Sequence, residues 1–582
     1  MTATASSDPD ARPLQACSDQ NSQDQDSQYH ESQDRESKDR ESQDRESQPA
    51  QITRAARGTA LNLAGAVIGA AVSFATVGLI TNVYGKAGAG LFFAATAAFT
   101  LAANSARLGA ESGLTYFVSR FRADQRHRAI PSLVRTAVVA TGAAATALGL
   151  IGLVAAPQLS ELLTDHVDSR NTATTMIRVL ALAVPSFALS QAMFGASRGF
   201  GTMRPAVVAG QILRPVSQLI LVAVVIVVTD DVWPLAVAWA VSSAITMVTI
   251  GGWLRRRLTK VADNGEADHR AADNAIPDNR QSDNGEADDG VADEEPDPVR
   301  SDRSRAIASR EYWRFTGPRA VADLLSASLE RLDILLVAII VGEVGAGMYG
   351  ASNRLILAGQ LMMIATAQSM APLLSANFLK GRHDDAQRVL RTISAWNVTL
   401  LWPVFICLAF GARTALSIFG SEFTDAAPLV VVLSMAFLVV IGLGIGDTLL
   451  AMTGDSLASL VNHAIALAVM IGVAVTLLPT VGIVGAAWAW ALSRVTLRAL
   501  AVGRVWQTKR VNAFGRPLLT AMAVAASAYV PIGLVSRAVF GETVAAVAVH
   551  VTAGAVVQLA LLTRFRKQLE LDQLLATITR RG

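Results

Sequence analysis

A chain of 582 residues in which 52% are hydrophobic and only 17% charged, with a mean hydropathy of +0.39, is too poor in charge for a soluble domain, where about 25% is usual. The formal net charge is +3. That excess sits in short segments between apolar runs, where membrane topology accounts for it and no nucleic-acid partner is implied.

The first 53 residues are polar and of low complexity, with SQDRE, SKDRE and SQDRE repeating from Ser32. So few apolar side chains cannot form a core, so residues 1–53 read as a disordered cytoplasmic tail. The opening MTATASSDPDARPLQ has no apolar signal segment, and the first span is expected to insert uncleaved. Cys17 lies in this tail and Cys407 in an apolar run, which argues against a disulfide framework.

Apolar runs near the length needed to cross the bilayer follow, about 20 residues each. In the first half they are Gly58–Val83, Gly88–Val118, Leu133–Ala156, Met176–Ser197, Pro205–Val228 and Val232–Trp253. Residues 258–314, with DNGEAD at Asp263 and again at Asp283, read as a disordered cytoplasmic linker. The second half continues with Pro318–Val341, Gly347–Phe378, Ile393–Phe410, Pro428–Met452, Leu457–Leu478 and Val481–Val505. Two more runs, Pro517–Val539 and Thr543–Leu562, bring the expected number to fourteen.

Arginine and lysine alternate between the loops. One set carries Arg120, Arg122, Arg126 and Arg128, then Arg198 and Arg204, Arg255 to Arg257, Lys380, Arg382, Arg388 and Arg391, and finally Arg504, Lys509 and Arg510. The other set has little beyond Lys86, Arg170, Arg413 and Arg537. Positive loops face the cytoplasm, so both termini are expected inside, in the inner membrane of a bacterial cell.

The chain also repeats itself. GKAGAGLF from Gly85 stands opposite GEVGAGMY from Gly342, an offset of 257, and Phe121 meets Phe378 at the same offset. The expected architecture is all-α and polytopic, with a six-helix lobe at 54–257, a pseudo-symmetric six-helix lobe at 315–511, and two extra transmembrane helices with a cytoplasmic C-terminus at 512–582.

Ionisable groups inside spans cost roughly 2.5 to 3.5 kcal/mol at a helix centre, so each is a candidate for a cavity or a buried pair. Arg107 and Glu111 stand four apart in the second span, where they can pair or leave the guanidinium for an anion. Arg214, Arg494 and Arg498 lie in the fifth and twelfth spans, and Glu330, Arg331 and Asp333 crowd the seventh. Asp333 can form a salt bridge with Arg331 or Arg354. Asn62, Asn104, Gln191, Gln211 and Gln218 read as interhelical hydrogen-bond partners, and the Gly65 to Gly69 step as a packing motif. Neither a metal-ligand cluster nor a nucleotide-binding motif is present, and no cofactor or enzymatic reaction is expected.

GTALNLAGAVIGAA from Gly58, RLGAESGLTYFVSRF from Arg107, the RGFG turn from Arg198, ERLDILLVAIIVGEVGAGMYGASNRL from Glu330 and the run from Leu449 to Ser493 together resemble the MOP exporter superfamily. Within it they resemble the Wzx-like oligosaccharide or polysaccharide flippases, over roughly Arg54 to Arg566. The resemblance implies a two-lobed bundle that flips a lipid-linked oligosaccharide for cell-envelope polysaccharide biosynthesis. Its partners would be the lipid-linked glycan, membrane lipids, and a polysaccharide polymerase or glycosyltransferase. It makes Arg107, Glu111, Arg214, Arg331, Arg494 and Arg498 candidates for a substrate cavity, and Glu330 and Asp333 candidates for ion coupling. A MurJ-like lipid II flippase and a MATE-like antiporter are the alternatives. The first span holds no Asp or Glu, which counts against the latter.

Overall fold

The computed structural model describes residues 62, 64–124, 126–127, 129–164, 166–274, 298–357, 363, 383–444, 450, 456–510, 513–565 and 568. Among them helix is the only regular structure. The tail at 1–53 and residues 275–297, 364–382 and 451–455 lie outside the described residues.

The first helical run, Ala64–Ala123, holds 60 residues, which at 1.5 Å each is about 90 Å, three bilayer cores long. Two backbone features divide it. Gly85 has φ +63°, and the turn at 107–109 carries Leu108 at +49° and Gly109 at +70°. The run doubles back, because Gly65 lies on Val207 and Gln211 while Val118, near its other end, lies on Gly199. We therefore name α1 (64–84), α2 (86–106) and α3 (Ala110–Ala123).

The rest of the first lobe is α4 (Ala129–Leu163), α5 (Val167–Gly199), α6 (Arg204–Val228) and α7 (Pro234–Asn274). The second lobe contains α8 (Pro298–Val341), α9 (343–357), α10 (His383–Phe410), α11 (Ala427–Gly442), α12 (Ser456–Val481) and α13 (Ile483–Lys509). The final pair is α14 (Arg516–Phe540) and α15 (Val544–Arg564). In the first lobe α5 packs on α3, α4 and α7; in the second, α13 packs on α8, α11 and α12, and α14 docks on α10.

Single glycines make four of the helix reversals. Gly85, Gly342, Gly482 and Gly541 all have φ between +63° and +91°, a left-handed conformation that a Cβ opposes. The amides of Gly342, Gly482 and Gly541 each donate to the carbonyl four residues back, which caps the preceding helix.

Among the described residues ten helices are long and apolar enough to cross a membrane, where the sequence reading expects fourteen spans over the whole chain. The first of the ten contains the reversal at Gly85. Helix α8 falls short because Glu330, Arg331 and Asp333 share its apolar stretch, and α13 because of Arg494 and Arg498. Of the expected span Gly347–Phe378, only 347–357 and Met363 are described.

The linker expectation needs correction at both ends. Helix continues from α7 to Asn274 and resumes at Pro298, so residues 258–274 and 298–314 are helical. Alanine, arginine and glutamate are good helix formers, and extending a helix already nucleated by a membrane span avoids the cost of starting one.

Candidate functional site

The turn at 107–109 interrupts the second span beside the charges singled out above. Arg107 Nη1 donates to Glu111 Oε2 at 2.5 Å, and Arg198 Nη1, from the last turn of α5, donates to Glu111 Oε1 at 2.6 Å. One carboxylate thus serves two guanidiniums, and the buried Nε of Arg107 has no partner. The approach depends on glycine: a Cβ on Gly195 would stand 2.3 Å from the Glu111 carbonyl oxygen, and one on Gly199 2.7 Å from Val118. Hydroxyls of Thr115 and Ser119 donate to the Gly195 and Gly199 carbonyls and fix the register. Asp323 of α8 interacts electrostatically with Arg107, Glu111 and Arg319, which ties the second lobe to this cluster.

Arg214 follows a π-helical segment, Val207–Leu213. Its Nη2 donates to Ser190 Oγ at 3.1 Å, and its guanidinium lies 4.6 Å from the Phe187 ring centre and 5.9 Å from that of Phe194. The buried Nε is unpartnered, and no carboxylate among the described residues pairs with Arg214. An aromatic face stabilises a cation by about 0.5–2 kcal/mol, well short of what a buried counter-ion supplies. Packing of α1 supports this segment, since Gly65 and Gly69 sit on Val207 and Gln211 and Gln211 Nε2 donates to Asn62 Oδ1 at 2.8 Å. The packing step and the Asn62–Gln211 bond agree with the sequence reading.

In the second lobe Asp333 is buried. Its carboxylate accepts from the Tyr349 hydroxyl and from the Ile334 amide, both at 2.8 Å. The expected salt bridge with Arg331 or Arg354 gives way to this hydroxyl, while Arg331 and Arg494 act on Asp333 electrostatically. Arg354 is close enough to Arg331 for mutual repulsion. Arg494 donates to the Leu329 carbonyl at 3.0 Å and lies 5.5 Å from the Trp490 ring centre. The buried Nε atoms of Arg331 and Arg494 have no hydrogen-bond partner. Arg494 and Arg498 line a small cavity of about 40 Å³ with Met363, Phe437, Val440, Trp490 and Leu497.

Along α8, Arg319, Asp323, Ser326, Glu330 and Asp333 are spaced four, three, four and three, which places them on one helical face. Glu330 is exposed on that face and Asp333 buried, so the two ion-coupling candidates occupy different environments. Exposed Val321 and Leu324 lie on a different face, as lipid contact requires.

Away from the basic loops the lobes meet in a pseudo-symmetric contact. A Cβ on Gly90 would stand 1.7 Å from the Glu343 carbonyl oxygen, and one on Gly347 2.0 Å from that of Lys86. The repeat offset of 257 relates Gly90 to Gly347 and Lys86 to Glu343, so it exchanges the two contacts. Lys86 Nζ pairs with Asp425 at 3.3 Å, its amide donates to Glu422 at 3.1 Å, and Asn82 donates to the Ile418 carbonyl at 2.9 Å. Ser169 donates to Glu343 at 3.2 Å from the other lobe. At the basic end, Arg120 pairs with Glu311 at 2.7 Å, and Tyr116 stacks on Phe315 at 4.5 Å and 17°.

The structure thus joins Arg107 to Glu111 by an ion pair, brings Arg331 and Arg494 within electrostatic reach of Asp333, and leaves Arg214 apart from both. Sequence reading missed Asp323, although its spacing from Arg319 and Glu330 marks the same face. It also read Arg198 only as a topology signal, since nothing local announces a partner 87 residues away.

Residues 55–274 match the polysaccharide biosynthesis protein family. No curated protein sequence matches the chain. Among solved structures, the lipid II flippase MurJ in an inward closed conformation is similar with a TM-score of 0.61 at 10% identity, covering 87% of this chain and 99% of its own. A MATE family multidrug resistance transporter in an inward-facing conformation is similar with a TM-score of 0.54 at 15% identity, covering 78% of this chain and 98% of its own. An MOP superfamily transporter from Pyrococcus furiosus, noted for reversed polarity of its binding pocket, reaches 0.50 at 14% identity, covering 78% and 95%.

Proposed function

We propose that this chain, with the fold of the MOP superfamily transporters and a first lobe matching the polysaccharide biosynthesis protein family, flips a lipid-linked oligosaccharide across the cytoplasmic membrane. The observation that carries the reading is the surplus of guanidinium over carboxylate within the spans. Arg107 and Arg198 share one carboxylate, Arg214 has none among the described residues, and three buried Nε atoms of Arg107, Arg214 and Arg494 lack hydrogen-bond partners. A lone buried charge costs several kcal/mol, and a pyrophosphate anion can offset that cost in both lobes.

With the basic loops on the cytoplasmic side, the glycine contact between α2 and α9 closes the outer side of the bundle. The headgroup then enters from the cytoplasm and its lipid chain stays in the bilayer. Exchange between closure at Gly90–Gly347 and closure at the basic end moves the sugar outward by alternating access. Glycosyltransferase or polymerase partners would supply and consume the glycan.

Deletion of the gene should cause a lipid-linked sugar intermediate to accumulate on the cytoplasmic side, and its composition would identify the glycan. Drug sensitivity without such an intermediate would instead indicate a MATE-like antiporter. A lipid II flippase is the second reading, favoured by the TM-score of 0.61 over 87% of the chain. Rescue of cells depleted of their own lipid II flippase would select it.

A further inference from the structure

The aromatic stack at the basic end has a free face. Tyr116 stacks on Phe315 at 4.5 Å and 17°, and the Arg319 guanidinium lies 4.3 Å from the same Phe315 ring centre. No contact joins Arg319 to the Tyr116 ring, so the guanidinium covers the other face of Phe315. Phe117 stands edge-on to Tyr116 at 5.2 Å and 90°; among the described residues no other ring stacks on the outer side of Tyr116, which is 45% exposed.

Neighbouring residues decide what that face meets. On α3, Glu111, Thr115 and Ser119 face α5, while Gly113, Tyr116 and Phe117 face α8. At 100° per residue the wedge between them carries Ser112, Tyr116 and Ser119. A surface turned to acyl chains in the same lobe reads Val139, Leu150, Ile151 and Val154, all exposed. Two hydroxyls beside a tyrosine mark a hydrated cleft between the lobes instead.

We infer that Tyr116, backed by Phe315 and Arg319, is the platform on which the first pyranose ring of the lipid-linked glycan stacks. This rests on the flippase reading. Tyr116 lies five residues beyond Glu111, a rise of about 7.5 Å along the helix and about 140° around it, so a glycan leading from a phosphate held at Arg107 and Arg198 toward the basic end would pass round α3 to reach it. A pyranose face presents C–H groups with slight positive charge to the negative face of the ring, and the Ser112 hydroxyl, with the Ser119 oxygen as an acceptor only, can take its hydroxyls. Stacking of this kind reads ring shape and tolerates different sugars.

The test uses the full-length protein in lipid nanodiscs and two probes, undecaprenyl pyrophosphate and undecaprenyl-pyrophosphate-linked N-acetylglucosamine. The unsubstituted protein should bind the sugar-bearing probe roughly three- to tenfold more tightly. Tyr116→Ala should remove that preference without changing affinity for the bare pyrophosphate, and Tyr116→Phe should keep it. Two results would overturn the platform and leave the flippase reading standing: no preference in the unsubstituted protein, or a preference that survives Tyr116→Ala. Equal weakening of both probes by Tyr116→Ala would make Tyr116 a clamp between α3 and α8 and also overturn it. Failure of the unsubstituted protein to bind either probe would remove the flippase reading as well.

Discussion

Replacing Gly90 by alanine puts a methyl group 1.7 Å from the Glu343 carbonyl oxygen and 2.7 Å from the Gly347 amide nitrogen. Both neighbours are backbone, so neither can rotate away. Reaching an ordinary contact distance requires α2 and α9 to separate by about 1.5 Å, and a gap of 0.5–1 Å already forfeits a quarter to a half of a van der Waals well. Overpacking of this kind costs about 1–3 kcal/mol, all of it charged to the state in which these helices touch. The equilibrium should therefore shift roughly 5- to 150-fold toward the state open on that side. Gly347→Ala should act alike, because its methyl group would meet the Lys86 carbonyl oxygen at 2.0 Å. Gly78→Ala serves as control, with nothing within 4 Å of the added atom. With Cys17 and Cys407 replaced by serine, a cysteine at Ser169 beside Glu343 reports opening through a membrane-impermeant maleimide. Faster labelling with slower flipping is expected for the two gate variants, and neither change for the control. Gate variants that label and flip at the unsubstituted rate would show that the two helices need not touch during transport.

The charges give two further expectations. Arg107→Ala, Arg331→Ala and Arg494→Ala should each abolish complementation of a deletion strain while the protein still reaches the membrane, and full complementation by all three would remove the cationic cavity. Arg214→Lys should lose most activity, by tenfold or more on the order of 1.4 kcal/mol per decade, because a compact ammonium cannot both reach Ser190 and lie flat on Phe187; unaltered transport would make Arg214 a structural charge only.

Much of the architecture is legible along the chain because lipid imposes it locally. Apolar length reports a crossing, and the repeat aligns glycine at 85 with glycine at 342, both of which the structure finds at positive φ. The site is less legible. Arg107 and Glu111 announce each other at four residues, but Arg198 reaches Glu111 only after α5 has folded back along α3, and Tyr349 reaches Asp333 only after the turn at Gly342. The stack of Tyr116 on Phe315 depends on α8 beginning well before its apolar stretch, and an acidic linker composition hides that extension.

Two helical defects and two central arginines coincide, and the coincidence carries physical content. The unwound turn at 107–109 begins at Arg107, with Leu108 held at φ +49°, and the π-helical segment Val207–Leu213 ends against Arg214. Strained backbone of this kind costs on the order of 1–3 kcal/mol per residue and persists where surrounding packing enforces it. Here the enforcing contacts are Gly109 on Thr316 of α8 and Gly69 of α1 on the Gln211 carbonyl, so the first defect is held from the other half of the chain and the second from within its own half. A defect that frees backbone groups in lipid is tolerable only beside water or protein. Under the proposed function defect and charge belong together: irregular backbone lies in α2–α3 and α6 beside Arg107 and Arg214, and an anion bound there would change how those segments sit against α8 and α1.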